Sequence, residues 1–463
     1  MENIANAIQN AIKNRAYNAL VCETFKLAEK QAHEAIKNGL EPFPVVVKDC
    51  FAVKDVPLTC ASNMLKNFKS PYTATIVDRL LRNGGCIIGK ANMDEFAMGA
   101  SSNDSIFGGV KNGFTKVEDL NENWLIAGGS SGGSAVAVQM GMADIGIGSD
   151  TGGSSRNPAA YCGLVGFKPS YGALSRYGLV PLVNSLDCPS IMTKDVESTK
   201  KYFNMMRGIC EHDSTSFDSP LQKNKLDTKK LRVGIPIEYF PESLTEEAKH
   251  AVNTVANIFD KMGYEIKLVS LPHTEYSIVC YHIINEVDVT SNMARYTGLY
   301  YGNSIDHNVD EDNLSANEWM ATNRTKNLNE TVKRRIFAGN YFTMKKQNRK
   351  HYIEALKVRR LIYEDFQKVF STECDILLTP VTSSTSPSYK CYMEDKTNRE
   401  RTNDYYTQSA NMAGIPALSL PISKSRNNDL PLSVQLMVNF DMDDTLLGIS
   451  VILEKYLRTL RNI

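Results

Sequence analysis

Two rhythms of apolar residues alternate along the chain. Short unbroken runs occur at PFPVVVKDCFAV (42–53), CIIGK (86–90), IGIG at the head of 145–155, LRVGIPI (231–237), EIKLVSL (265–271), CDILLTPVT (374–382), PALSLPIS (416–423) and LSVQLMV (432–438). Their length and β-branched content predict strands, the first of them buried. Segments 1–38, 73–83, 245–263 and 350–370 instead read as helices, the last strongly amphipathic, and 135–143 as a helix of small residues. TEEAKHAVNTVANIFDKMG (245–263) also has an acidic first turn and a glycine stop. The stretch 101–134 is rich in Gly, Ser and Asn and predicts loops, while 208–229 is polar and reads as an exposed connection, and 303–331, Asn-rich and polar, reads as surface. Strands alternating with helices predict an α/β fold around a mixed sheet.

Composition narrows the function more than the fold. A length of 463 residues would by itself suggest two to four domains. Lys plus Arg total 52 and Asp plus Glu total 52, so no global charge draws the chain to nucleic acid or to an anionic surface. The 10 cysteines are scattered with no C-x-x-C pair, as expected of reduced thiols in an intracellular protein. No apolar run reaches the roughly 18 residues that a membrane-spanning helix needs. The first segment places Ile4, Ala7, Ile8 and Ile12 at helical spacing. An organelle-targeting helix has that pattern, and so does an ordinary first helix packed on the body, which is the expectation here.

Two motifs fail on chemistry. Gly84–Ala91 nearly matches a phosphate-binding loop, but Ala91 stands where the Mg²⁺-holding hydroxyl belongs and Cys-Ile-Ile reads as strand. Gly128-Gly129-Ser130-Ser131-Gly132 matches a G-x-S-x-G elbow, yet none of the downstream histidines sits in a loop suited to a triad. The adjacent acids of NMDEF (92–96) do not face one ion on a helix and read as structural.

Three segments break local rules together. Lys48 ends an apolar strand, where desolvation lowers a lysine toward the neutral amine that can act as a base. AGGSSGGSA (127–135) and GSDTGGSSR (148–156) are Gly/Ser loops between apolar segments. Inward-turned amides at Thr151, Gly152 and Gly153 suit a developing oxyanion, and a serine there becomes a nucleophile once a base activates it. A buried lysine and two Gly/Ser loops, with no well-placed histidine, fit a Ser–Ser–Lys relay.

Residues 128–172 resemble the signature of the amidase signature family. The resemblance implies a mixed central β-sheet covered by helices on both faces. It implies Lys48 as base, Ser130 as a bridging serine on a cis peptide, and Ser154 as nucleophile. Segments 59–80, 89–99, 169–187, VKRRI (332–336), D-x-x-T-x-x-x-N-x-A-G (404–414) and IPALSLP (415–421) extend the likeness over nearly the whole chain, toward the glutaminase subunits of tRNA-dependent amidotransferases. That implies a single domain over 1–463: a helical segment 1–40, a catalytic core 41–200 and the remainder 201–463. It implies glutamine as substrate, with Arg335 on its carboxylate, Asp404 on its ammonium and Tyr281 lining the pocket. No cofactor is implied in this chain. ATP and Mg²⁺ fall to a tRNA-binding kinase/transamidase partner, the B subunit, with a small third subunit, and tRNA is contacted mainly through these partners. Ser155 replaces the isoleucine usual after the nucleophile, so two serines compete for that role; register with Arg156 favours Ser154. Lys48 arrives early for the family, and with the Asn/Lys content this suggests a mitochondrial form. Two other readings stand beside this one: a stand-alone amidase of fatty-acid, aryl or indole amides, and a non-catalytic scaffold subunit.

Overall fold

Val45 and Val47 face one hydrophobic cluster and Val46 the other. That alternation is the period of a strand buried on both sides. It repeats in the next strand, where Ile87 faces the first cluster and Cys86 and Ile88 the second. The computed structural model describes residues 1–218, 230–304 and 314–461. Residues 219–229 of the polar connection expected at 208–229, and 305–313 of the polar stretch 303–331, therefore lie outside the described residues, while Ala316–Asn327 of the latter is a helix.

Eleven strands form one sheet: β1 (Leu20–Glu23), β2 (Phe43–Lys48), β3 (Gly85–Ala91), β4 (Ile145–Asp150), β5 (Val165–Lys168), β6 (Cys188–Thr193), β7 (Arg232–Pro236), β8 (Glu265–Val269), β9 (Ile376–Pro380), β10 (Ala417–Lys424) and β11 (Pro431–Met437). Their order is β1-β3-β2-β4-β6-β5-β10-β11-β9-β7-β8. Pairings of β2 with β3 and β4, and of β7 with β8 and β9, are parallel; the others are antiparallel. The mixed α/β sheet is as expected. Helices cover both faces. On one side Ile4, Ala7 and Ala11 of Glu2–Lys13, Ala28 and Ala32 of Phe25–Lys37, and Ala135–Val138 of Gly132–Gln139 fill the smaller cluster. Helices Thr75–Arg82, Val196–Met206, Glu246–Lys261, Ser277–Met293, Tyr352–Thr372 and Asp443–Arg461 lie in chain order on the larger core.

The first helix packs on the body as expected, with Ile4 buried and Ile12 exposed. The expected helix over 1–38 is, however, two helices separated by β1, which pairs antiparallel with β3 at the sheet edge. Three of its four residues pair with β3, and such a short edge pairing leaves little trace in apolar spacing. The near phosphate loop is strand β3, and Lys90 Nζ donates to Asp49 Oδ1 (3.0 Å) and the Pro57 carbonyl (2.9 Å). Among the described residues no helix is long and apolar enough to cross a membrane.

Candidate active site

Parallel neighbours β2 and β4 end side by side, so what leaves their C-terminal ends meets at one place. Lys48 is the last residue of β2, and Asp150, the last of β4, opens the loop to helix Arg156–Cys162. Lys48 is wholly buried. Its Nζ lies 2.8 Å from Ser130 Oγ and 2.9 Å from Ser149 Oγ. Two other lysines among the described residues are as deeply placed but have different partners: Lys90 has Asp49, and Lys168 donates to the Pro169 carbonyl (2.9 Å). Burial lowers the Lys48 pKa from its ordinary value, against the opposing pull of Cys50, Asp94, Asp150 and Asp187. A lysine held by two hydroxyls and no touching carboxylate is poised to lose its proton.

The Gly129–Ser130 peptide bond is cis. The segment Ile126–Val138 around it is buried throughout. Ser131 N donates to the Ser154 carbonyl (3.0 Å), which ties the two Gly/Ser loops together. From Ile145 to Cys162 every residue is buried except Ser154. Its hydroxyl has no hydrogen-bond partner among the described residues, and the two loops meet at Ser154 through its carbonyl. Ser155 is occupied elsewhere: its Oγ sits 2.5 Å from Ser190 Oγ and 3.3 Å from Ser131 Oγ, wholly buried.

The loop is braced from below. Asp150 accepts from Arg156 Nε (3.0 Å) and Nη2 (2.9 Å), both partners fully buried. Burial alone would raise the Asp150 carboxyl, but the Arg156 guanidinium outweighs it and holds the group well below the usual carboxylate range. Arg156 also donates to Gln435 Oε1 (2.6 Å) and Asn411 Oδ1 (2.5 Å). The Gly153 amide donates to Asp150 Oδ1 (2.8 Å). That bond takes Gly153 out of the expected oxyanion donors. Its role is conformational: its φ is +130°, and a Cβ there would strike Thr407. The amides of Thr151, Gly152 and Ser154 take no protein acceptor among the described residues. Thr151 Oγ1 donates to Asp187 Oδ1 (2.8 Å), and the Gly152 carbonyl accepts from Thr407 Oγ1 (2.5 Å).

Tyr281, Arg335 and Asp404 converge beside this loop. The Tyr281 ring lies where a Cβ on Gly152 would be, 2.8 Å from its Cε2. Burial raises the Tyr281 hydroxyl, with Arg335 and Asp404 both close enough to act on it. Arg335 Nη1 donates to Asn285 Oδ1 (3.0 Å). The Asp404 carboxyl is pushed up to about 7 by burial and by Glu400, with Arg335 pulling the other way. Sequence reasoning missed Ser149, Asp187, Thr407, Asn411 and Gln435. Only Thr407 and Asn411 had a visible signal, as the fixed positions of D-x-x-T-x-x-x-N.

Among the described residues no histidine hydrogen-bonds to Ser130 or Ser154, and His307 lies outside the described residues. His273 pairs with Asp365 at 3.0 Å, and His212 stacks on Tyr177 at 4.5 Å between centroids. His282 is depressed to about 3 by burial and by nearby arginines. The acids of NMDEF are structural, as expected: Asp94 accepts the amides of Ser102 (2.9 Å) and Asp104 (3.1 Å), and Glu95 that of Asn329 (2.8 Å).

The Amidase family pattern matches residues 2–447. The chain is 44% identical over 475 residues to the A subunit of the mitochondrial glutamyl-tRNA(Gln) amidotransferase of Pediculus humanus subsp. corporis, covering 98% of this chain and 94% of that one. It is 42% identical over 470 residues to the protein of the same name in Homo sapiens, covering 96% and 88%. The crystal structure of the glutamyl-tRNA(Gln) amidotransferase A subunit from Thermotoga maritima matches with a TM-score of 0.71 at 28% identity, covering 96% of this chain and 92% of that one.

Proposed function

Because this chain belongs to the amidase family, we propose that it is the glutaminase subunit of a glutamyl-tRNA(Gln) amidotransferase. The observation that carries the reading is one juxtaposition. A desolvated Lys48 lies 2.8 Å from Ser130, and the one accessible residue of the adjoining segment, Ser154, is two residues from Gly152, against which Tyr281 packs within the influence of Arg335 and Asp404. The first half of that arrangement suits amide hydrolysis, and the second suits an amide that carries an α-amino acid.

The steps follow from the atoms. Ser130 passes its proton to neutral Lys48 and takes one from Ser154. Ser154 Oγ attacks the side-chain amide carbon of glutamine. The amides of Thr151, Gly152 and Ser154 face the developing oxyanion, where preorganised donors contribute most. Collapse returns the proton through Ser130 to the departing nitrogen, which leaves as ammonia. Water then cleaves the glutamyl ester by the same relay. Ammonia passes to the B subunit, which binds tRNA and uses ATP and Mg²⁺, with a small third subunit completing the complex. A chain of zero net charge is suited to leaving most tRNA contact to those partners. The names of its relatives support a mitochondrial location.

Assembled with its partner subunits, the chain is expected to release ammonia from glutamine, and the isolated chain to do so more slowly. Robust hydrolysis of aryl or fatty-acid amides by the isolated chain, with glutamine untouched, would replace this reading with the stand-alone amidase.

A pH dependence follows from Asp404. The free enzyme needs this carboxylate charged to pair the α-ammonium, and its pKa is about 7. As pH falls below that value the carboxylate protonates, and kcat/KM for glutamine drops about tenfold per unit. Asp404→Asn lowers the plateau and removes this limb. A wild-type profile with no limb near 7 would show that Asp404 does not hold the ammonium.

A further inference from the structure

An α-amino-acid head has more hydrogen-bonding capacity than one arginine and one aspartate can meet. Its ammonium has three donors and its carboxylate about four lone-pair sites. In a pocket away from water, each unmet group costs binding. The structure holds two buried side chains with the missing capacity. Gln408 is wholly buried, yet neither its Oε1 nor its Nε2 has a hydrogen-bond partner. Asn285 is wholly buried as well; its Oδ1 holds Arg335, and its Nδ2 makes no hydrogen bond, though the amide lies against the Tyr281 hydroxyl. Buried amides left unpaired are rare in folded proteins and need an explanation.

Their positions supply one. Tyr281 and Asn285 are four residues apart on one face of helix Ser277–Met293, which packs against helix Glu330–Thr343 carrying Arg335. The short helix Gln408–Ala413 packs against that same helix Ser277–Met293. Gln408 follows Thr407, whose hydroxyl holds the Gly152 carbonyl, and its amide lies against the Asp404 carboxyl without hydrogen-bond geometry. Each orphaned amide therefore stands beside one of the two charged groups expected to grip the head.

We infer that Gln408 and Asn285 are specificity-determining residues for the α-amino-acid head of the substrate. Gln408 Oε1 accepts from the α-ammonium beside Asp404, and Asn285 Nδ2 donates to the α-carboxylate beside Arg335. The inference rests on the glutaminase reading. It adds that the site selects amides bearing an α-amino acid over plain carboxamides with four groups rather than two.

Three amides separate the two roles when turned over by the assembled complex: glutamine, glutaramate (which lacks the α-ammonium) and butanamide (which lacks both head groups). Gln408→Leu is expected to lower the glutamine-to-glutaramate ratio of kcat/KM by about 10- to 100-fold, chiefly through KM. Gln408→Met, which keeps the side chain's length, replaces it should the leucine variant fail to fold. Asn285→Asp keeps an oxygen for Arg335 but sets an acceptor against the carboxylate. It is expected to lower the ratios of both glutamine and glutaramate to butanamide by a similar factor. Ratios unchanged from wild type, or equal losses on all three amides, would overturn the inference and leave these residues structural. Wild-type complex that does not hydrolyse glutamine would overturn the glutaminase reading instead.

Discussion

Replacing Ser154 with alanine is expected to lower kcat for glutamine hydrolysis by about four to six orders of magnitude, the range seen when a nucleophile that works as one unit with its base is removed. Three features of the structure set that size. Ser154 is the one residue between Ile145 and Cys162 that reaches the surface. The loop around it is fixed by Asp150 and Arg156, so alanine changes little but the hydroxyl. Ser155 cannot stand in, because it is buried and its Oγ is 2.5 Å from Ser190 Oγ. Stability should stay within about 0.5 kcal/mol of wild type, as for a partly exposed side chain without partners. A serine-directed fluorophosphonate should label the wild type and not the variant. Near-wild-type turnover in Ser154→Ala, with loss in Ser155→Ala, would move the nucleophile to its neighbour.

Lys48→Met is expected to cost about three to four orders of magnitude in kcat/KM, since it removes the base but keeps the volume of the stem. Lys48→Arg should not rescue it, because a guanidinium stays protonated. The stability of the methionine variant gives an independent reading. Burial lowers the folded-state pKa of Lys48 below its ordinary value. Between the folded and the unfolded pKa, the unfolded chain binds the proton and the folded one does not. Wild-type stability therefore falls as pH drops from about 10.4 toward the folded value, by about 1.4 kcal/mol per unit. Methionine has no such slope, so the variant's stability relative to wild type rises over that window and levels off beneath it. Denaturant unfolding at several pH values measures it. A difference that does not change with pH would mean that Lys48 keeps its proton in the fold.

Legibility in the sequence followed how locally each feature is encoded. Lys48 stood out because an apolar strand ending in lysine conflicts with the cost of burying it. The Gly/Ser loops stood out because nothing else in the chain concentrates such residues between apolar flanks. Arg335 and Asp404 came only through the family resemblance; as isolated residues in polar helices they carry no signal. The orphaned amides of Asn285 and Gln408 were invisible, since an unpaired polar atom is a property of packing. So were the braces on the nucleophile loop, because Arg156 meets Asn411 and Gln435 across separations of 255 and 279 residues. β1 was hidden for a related reason: its pairing with β3 spans the sequence, and a one-chain pattern does not show who sits next to an edge.

That long reach of Arg156 also constrains how the chain can acquire activity. A guanidinium that needs Asp150, Asn411 and Gln435 at once finds all its acceptors only after β11 has joined the sheet. Contacts so distant along the chain form late and slowly, because loop closure precedes any gain from them. An emerging polypeptide therefore carries Lys48, Ser130 and Ser154 long before it can hold them in order. The order of the relay thus depends on a meeting between the first half of the chain and its C-terminal part around one buried charge.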